Sequence, residues 1–200
     1  MSAPTSPAII AQLEDKMLNA LKTQLPTGGY KPLVTTYGGE LDAEWAEGVR
    51  QLPAVWLFCE GGGEPTPYGT SKEKWLIPLT WSVIVATRNL RGERDARHGV
   101  QVGGHFEVGS YQLLTDVRRV LMNQDFNLAV QHLKPGRLRS LGINGGQRGM
   151  SVYAQQFHTA YIETLSKPAS DLTSIKLDFV LKPGDEVVDG SDLITLRIEE

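Results

Sequence analysis

The sequence predicts an α+β protein: a mostly antiparallel sheet with two main helices on one face, plus a C-terminal β-hairpin-like extension. Two observations support this fold class. Around residues 10–25 and 110–121, apolar residues recur every three or four positions, which is the period of an amphipathic helix. Elsewhere, apolar and polar residues alternate or form short apolar runs, as they do in strands. The order helix, strands, helix, strands is typical of α+β proteins.

Length, charge and cysteine content narrow the class of protein. A chain of 200 residues can bury one sizeable core. Its net charge of −3 argues against a nucleic-acid-binding domain, which usually carries a basic excess. The single cysteine, Cys59, cannot form an internal disulfide and is interpreted as a small core residue. With no signal-peptide pattern and no apolar run of about 20 residues, we expect a soluble protein made in the cytoplasm, without membrane contact.

The first helix has a start, a buried stripe and an end in the sequence. Ser6 can cap it, and Pro7 suits the first helical position. Pro26 and the glycines after it should end the helix. Its apolar stripe consists of Ile10, Leu13, Met17, Leu21 and Leu25. Such a stripe most often packs on a sheet, and a partner-binding helix is the alternative.

Two strands are predicted before residue 60. Residues 30–37 predict a short strand centred on Leu33 and Val34, and the continuous apolar run 53–59 predicts a buried strand. Between them, residues 41–52 can form a helical turn with Trp45 as its apolar anchor. The glycine- and proline-rich stretch from residue 60 to residue 69 predicts a loop.

Residues 75–87 form the longest predicted strand. By the period-two rule, one face carries Trp75, Ile77, Leu79, Trp81, Val83 and Val85. Pro78 cannot donate a backbone hydrogen bond to a neighbouring strand. It therefore predicts an edge position or a bulge near the beginning of this strand.

A second helix is predicted to start at Gly109 and Ser110, with Ser110 as its cap. Arg118 and Arg119 lie near its C-terminal end, where positive charge is favoured. Its buried stripe consists of Leu114, Val117, Val120 and Leu121.

After this helix, residues 133–149 predict a strand and a glycine-rich turn, and residues 150–165 predict the last strand of the main body. In that last strand, one face carries Tyr153, Phe157 and Tyr161, and the other Val152, Ala154, Ala160 and Ile162. A boundary at 166–170 divides the chain into an α+β domain, 1–165, and a C-terminal β extension, 166–200. Two strands are marginally stable alone, so we expect the extension to pack on the body or on a neighbouring subunit.

The titratable residues and glycine-rich stretches of the sequence form no recognised catalytic motif. Asp95, His98, His105 and Glu107 could bind a metal by residue type, but their spacing matches no known metal motif. The glycine-rich stretches match neither a P-loop nor a dinucleotide-binding motif. We therefore expect no catalytic residues, no cofactor and no metal, and a metal-dependent hydrolase is the alternative.

A cluster of arginines follows the longest strand. Arg88, Arg91, Arg94, Arg97 and His98 alternate with Glu93 and Asp95. This mixed charge suits an ion-paired contact with another subunit, because arginine binds carboxylates through two parallel hydrogen bonds. A mobile, solvated loop is a second interpretation. A nucleic-acid groove is a third, although the acidic residues would repel phosphate.

Three segments resemble a family of proteins from Mu-like contractile-tailed phages. These segments are VTTYGGELDAEWAEGVRQLPAVWLFCEGG, ATRNLRGERDARHG and GSYQLLTDVRRVLMNQDFNLAVQHLKPGRLRSL. Together they place the resemblance over residues 9–165. The family implied is that of tail terminator, or tail completion, proteins, which resemble the lambda tail terminator in fold.

The resemblance implies a role in virion assembly. Such proteins form a hexameric ring that caps the head-proximal end of the tail tube and sheath, stops polymerisation, and joins the tail to the neck and head. The implied partners are further copies of the chain, the tube and sheath proteins, and neck connector proteins. DNA could pass through the ring without specific binding. Another neck or head–tail joining component is the alternative within the same class.

Overall fold

The computed structural model describes residues 8–25, 29–39, 51–70, 73–141 and 149–164 in full, and the backbone of 174–179 and 190–195. The chain divides into two compact units, Met1–Glu163 and Thr164–Glu200. Each unit is described by itself. No helix within the ranges just given is long and apolar enough to cross a membrane.

The first unit contains the elements of an α+β domain. Its helices are α1 (Ile9–Gln24), α2 (Glu93–His98) and α3 (Ser110–Leu121). Its strands are β1 (Leu33–Thr36), β2 (Ala54–Gly61), β3 (Thr66–Pro67), β4 (Lys74–Arg88), β5 (Val100–Val102), β6 (His105–Glu107), β7 (Lys134–Ser140) and β8 (Met150–Thr164).

The main sheet is mostly antiparallel, which confirms the predicted fold class. Its strand order is β1-β2-β4-β8-β7, and β3 pairs with the beginning of β4. Strand β1 runs parallel to β2, whereas β2 pairs with β4, and β7 with β8, in antiparallel register. The backbone N–H of Asn89, just after β4, donates to the carbonyl of Gly149, just before β8. The two longest strands therefore run in opposite directions at the centre of the sheet.

Helices α1 and α3 cover one face of this sheet, here called the core face. The predicted stripe of α1 is confirmed, since Leu13, Met17, Leu21 and Leu25 are fully buried there. Helix α1 begins at Ile9 with Ala8 as its N-cap and no side-chain cap. The predicted start at Ser6 and Pro7, and the predicted stop at Pro26, lie outside the described residues.

Strands β1 and β2 confirm the two strands predicted before residue 60. Successive residues of β2 alternate between the two faces of the sheet: Val55 and Leu57 belong to the core face, whereas Trp56 belongs to an apolar cluster on the opposite face. Strand β3 is a short addition where a loop was predicted, because Thr66 pairs with Leu76. The predicted helical turn around Trp45 lies outside the described residues.

Strand β4 confirms the longest predicted strand. Leu79, Trp81, Val83 and Val85 are buried on the core face, whereas Trp75 and Ile77 at the start of the strand are only partly buried. Of the two alternatives predicted from Pro78, the edge position is wrong, because β4 lies between β2 and β8. The bulge alternative agrees with an irregularity near the beginning of β4, where the register with β2 shifts between Cys59 and Gly61. Pro78 instead lies in the gap between the residues paired with β3, which end at Leu76, and those paired with β2, which begin at Thr80.

Helix α3 has the predicted buried stripe, to which the structure adds Leu113. The capping role predicted for Ser110 is wrong: the N-cap is Gly109, and Ser110 is the first helical residue. The hydroxyl of Ser110 is buried 2.8 Å from the hydroxyl of Ser151 in β8. A residue predicted to satisfy the helix backbone therefore joins the helix to the sheet.

Strand β8 confirms the last predicted strand of the main body and its two faces. Phe157 is fully buried on the core face, where Tyr153 and Tyr161 also pack. Val152 and Ala154 belong to the apolar cluster on the opposite face. The register between β7 and β8 shifts between Pro135 and Leu138. The glycine-rich turn predicted after β7 lies largely in 142–148, outside the described residues.

The second unit contains a two-stranded antiparallel sheet. Strand β9 (Ser174–Phe179) pairs with β10 (Gly190–Thr195), with Ile175 opposite Ile194. This confirms the predicted hairpin-like extension. Two strands bury little by themselves, so the expectation that this unit packs on another surface stays a prediction.

Candidate functional site

The predicted contact residues lie at the C-terminal end of β4, in a stretch here called the arginine segment (residues 88–107). The structure places Arg88 at the last position of β4, Arg91 in a turn, and Arg94, Arg97 and His98 in helix α2. The β5–β6 hairpin completes the segment. The prediction of a loop here is therefore corrected, because most of the segment is a helix and a hairpin.

Asn89 holds the turn that follows β4. Its side chain is buried, and its Oδ1 accepts a hydrogen bond from the backbone N–H of Arg91 at 2.9 Å. Its Nδ2 donates to Glu107 Oε2 at 2.7 Å, which joins the turn to the β5–β6 hairpin. Its backbone N–H donates to the Gly149 carbonyl at 2.7 Å. One asparagine therefore links the turn to two other parts of the domain.

Helix α2 is also fastened to the sheet, although it is short. Thr87 in β4 is buried, and its Oγ1 donates to the carbonyl of Ala96 at 2.6 Å. After the helix, Gly99 has a φ of +77°, in the region that favours glycine. A Cβ there would lie 2.8 Å from the Glu107 carbonyl oxygen and 2.8 Å from the Gly109 amide nitrogen. Glycine at this position lets the helix pack closely on the hairpin.

The five predicted contact residues differ in how their charges are used. Arg97 is half-buried and pairs with Glu93 one helical turn earlier. Arg91 Nη1 lies 3.6 Å from Glu107 Oε2, and both side chains are about half exposed. Arg88 and Arg94 are exposed and make no ion pair with any residue that the structure describes. Within the described ranges, these two arginines therefore present guanidinium groups to solvent without a carboxylate partner.

His98 is the fifth predicted residue, and it packs on an aromatic pair. Its ring meets the ring of Tyr111 edge-on with centroids 5.3 Å apart, and Tyr111 lies 5.7 Å from Tyr153. The Tyr153 hydroxyl donates to the Tyr111 hydroxyl at 3.4 Å. This hydrogen bond, and then burial, raises the pKa of Tyr153. The group joins the end of α2 to α3 and β8.

The turn held by Asn89 exposes one large apolar side chain. Leu90 is 87% exposed, between Arg88 and Arg91. The sequence pattern singled out the charges of this segment but neither Leu90 nor Asn89, and it indicated Glu107 only as a candidate metal ligand. Asn89 and Gly92, three residues apart, match the sequence pattern of common turns, so the turn itself could be predicted. The sequence pattern does not predict which side chain this turn exposes.

Two of the four candidate metal ligands make other contacts. Glu107 binds Asn89 and Arg91, and His98 packs on Tyr111. Within the described ranges, no group of three or more histidine, cysteine, aspartate or glutamate side chains could hold a metal ion. Cys59 is partly buried against the core, as its interpretation as a core residue predicted.

A second surface lies at the opposite end of the β4–β8 pair. It is an apolar groove of about 350 Å³, here called the β8 groove. Its lining comes from the β3 region, the start of β4, the segment before β7 and the end of β8: Tyr68, Leu76, Ala129, Val130, Gln131, Ala160, Tyr161 and Ile162. Tyr68 and Ile162 are exposed although they are large and apolar. Such a surface suits an apolar partner group.

The fold and these surfaces define an α+β protein whose candidate site offers exposed cations and apolar contacts to a partner. The family model described as "Bacteriophage Mu, Gp37" matches residues 7–162. Because the match covers most of the chain, the protein belongs to this bacteriophage family. It is accordingly a virion-associated phage protein of the structural or morphogenesis class. No curated protein sequence matches the chain.

Proposed function

We propose that the protein is a tail terminator: it forms a ring on the head-proximal end of the tail tube and sheath, stops their polymerisation, and provides the surface that joins the neck. The observation that carries this proposal is the family match, which spans 7–162 and thus nearly the whole α+β unit, Met1–Glu163. The segments that resemble tail completion proteins lie in the same unit.

The arginine segment supports an assembly role. A surface that is ordered before contact binds a ring neighbour or a tube end more tightly, because ordering a mobile loop costs free energy. The turn at Asn89 is fastened by several hydrogen bonds, so Arg88 and Arg94 are presented by a preformed backbone. Guanidinium groups in this setting suit carboxylates on a second copy or on the tube.

The mass of the purified protein in solution tests ring formation. Size-exclusion chromatography with light scattering should give a mass several times the 22.0 kDa of one chain, or should do so once tail tube protein is added. Negative-stain images of the same fractions should show rings. A strict monomer that never associates with tube or sheath ends would overturn the proposal.

The effect on tube growth separates a terminator from another neck component. Purified tube protein that polymerises alone should stop growing when this protein is added, and labelled protein should lie at one end of each tube. On intact particles, the label should lie at the head-proximal end of the tail. Label at the distal tip, or tubes that grow at an unchanged rate, would reject termination.

A further inference from the structure

Two exposed apolar features lie at opposite ends of the β4–β8 pair. Leu90 projects just beyond the C-terminal end of β4, and the β8 groove includes Leu76 near its N-terminal end. The strand from Leu76 to Arg88 spans roughly 40 Å at the usual rise per strand residue. A single copy therefore cannot bring Leu90 into its own groove, whereas a second copy can.

Leu90 has the features of an anchoring side chain. The Asn89 hydrogen bonds hold its backbone, so little conformational freedom is lost when it is buried by a partner. Its side chain is the most exposed of the large apolar residues in the described part of the chain, at 87%. Arg88 and Arg94 lie on either side of Leu90 in the sequence. Neither makes an ion pair with a described residue, so each guanidinium group can bind a carboxylate of a partner.

The β8 groove has complementary features. Tyr68 and Ile162 are 47% and 43% exposed, so the groove offers apolar area to a partner. Its volume of about 350 Å³ exceeds what one leucine side chain needs. Val130 forms an isolated β-bridge with Tyr161, and this bridge holds the segment before β7 beside the end of β8. Glu163 is exposed in β8 two residues after Tyr161, so the two-residue period of a strand places its carboxylate on the same face of the strand as this groove residue.

We infer that Leu90 of one copy inserts into the β8 groove of the next copy, with Arg88 or Arg94 reaching Glu163 of that copy. The apolar side chain meets an apolar groove, and the unpaired cations meet the carboxylate beside it. Because the two surfaces differ and lie at opposite ends of the domain, the contact is head-to-tail. Repeated around a closed rotation, such a contact produces a ring. This inference rests on the proposed function and specifies its subunit contact.

Disulfide trapping tests the contact directly. Leu90→Cys and Ile162→Cys are combined in a Cys59→Ala background, which removes the native thiol. Within one chain the two new cysteines are too far apart, since a disulfide needs Cα atoms within about 7 Å. Oxidation should give a ladder of bands at multiples of 22.0 kDa that collapses on reduction. Each single-cysteine variant should give no band above a dimer.

Charge substitution supplies an independent test that needs no crosslink. Leu90→Asp and Ile162→Asp should each lower self-association at least tenfold. A 1:1 mixture of the two variants should form dimers and no larger species. In such a dimer, Leu90 of the Ile162→Asp chain binds the unchanged β8 groove of the Leu90→Asp chain. Leu138→Asp is the matched control: Leu138 is also exposed, at 42%, but lies in β7 and lines neither surface. Its association should be unchanged.

The outcomes separate this contact from the ring itself. If the wild-type protein forms rings but the double-cysteine variant gives no ladder, or Leu90→Asp leaves the rings intact, this contact is wrong and the terminator proposal stands. If Leu138→Asp loses its rings to the same extent as Leu90→Asp, the proposed contact is also wrong. If the mixed variants fail to dimerise although each is folded by circular dichroism, the head-to-tail geometry is wrong. A wild-type protein that is always monomeric, even with tube protein, overturns both.

Discussion

On the core face of the sheet, an arginine stabilises the domain from within, whereas two arginines after the end of the core strand β4 make no ion pair with any described residue. Arg118 of α3 donates from Nε and Nη2 to Oε1 of Gln155, at 2.8 and 2.5 Å. Gln155 is fully buried in β8, and its Nε2 donates to the carbonyl of Gly136 at 3.0 Å. Arg88 and Arg94, by contrast, are exposed and unpaired among the described residues.

This difference separates the residues that hold the fold from those available for binding. The buried Gln155 amide on the core face is hydrogen-bonded within the domain, and loss of its partner should lower the free energy of unfolding. The exposed arginines have no such partners, so their replacement should leave folding unchanged and alter association. Each of the following variants tests whether the two regions are separate in this way.

The largest expected effect is on the core face. Phe157→Ala should lower the free energy of unfolding by about 3–5 kcal/mol, because it leaves a cavity where a fully buried ring packs. Urea unfolding followed by circular dichroism measures this change. The fraction that remains folded should still assemble. A loss of assembly in fully folded protein would break the separation between the two regions.

The second effect concerns the buried amide. Arg118→Ala should lower the free energy of unfolding by about 2–3 kcal/mol, since it leaves the fully buried Gln155 carbonyl oxygen without its charged donor. Arg119→Ala is the control, because the exposed Arg119 makes only a 3.4 Å contact with Asp116. Its effect should stay within about 0.5 kcal/mol. Equal effects of the two variants would contradict the assigned role of Arg118.

A smaller effect is expected at Tyr30, which joins the start of β1 to α3. Its hydroxyl donates to Asp116 Oδ2 at 2.5 Å, so Tyr30→Phe should lower the free energy of unfolding by about 1 kcal/mol. Burial, and then this hydrogen bond and the Asp116 charge, raise the pKa of Tyr30 well above its ordinary 10.0. The stabilisation by the protonated Tyr30 hydroxyl is therefore fully present below the ordinary tyrosine pKa of 10.0. It is lost as the pH rises through the raised pKa of the folded protein.

The measurement for Tyr30 is unfolding free energy as a function of pH. Wild-type stability should fall more steeply than that of Tyr30→Phe once the pH passes the ordinary tyrosine pKa of 10.0. Near neutral pH the difference between the two proteins should be constant. Parallel curves through the alkaline range would mean that the hydroxyl of Tyr30 does not titrate as its surroundings indicate.

The smallest effect on stability is expected at the arginine segment. Arg88→Glu combined with Arg94→Glu should change the free energy of unfolding by less than about 0.5 kcal/mol, because both side chains are exposed. Association should weaken at least tenfold, measured by sedimentation velocity. Lys16→Glu, an exposed charge reversal on α1, serves as the control and should associate normally. If the double variant associates as strongly as the wild-type protein, the arginine segment is not part of the subunit contact.

Local sequence patterns predicted most of the secondary structure because they report on single elements. The stripe of α1, the apolar run of β2 and the alternation of β8 each identify an element and the face that it buries. The predictions that failed depended on a second element. Ser110 does not cap α3 because Ser151 of β8 lies within hydrogen-bonding distance of its hydroxyl. Pro78 is not at an edge because β8 covers the other side of β4.

The candidate site was predictable in part, for the same reason. The sequence showed that four arginines and a histidine, from Arg88 to His98, follow the longest predicted strand. It did not show which charges are used internally. That depends on Glu107, which folds back in the β5–β6 hairpin to meet Asn89 and Arg91. The exposure of Leu90 depends on the same hydrogen bonds.

The sequence by itself determined the fold class, the faces of the main elements and the family resemblance, because periodicity and segment pattern are properties of neighbouring residues. Only the tertiary structure decided that Arg118 binds Gln155 inside the domain while Arg88 and Arg94 are exposed and without an ion pair to the residues that the structure describes. It also decided that Leu90 and the β8 groove lie at opposite ends of one strand pair. Those facts depend on contacts between residues far apart in the chain, which packing and hydrogen bonding establish only in the folded domain.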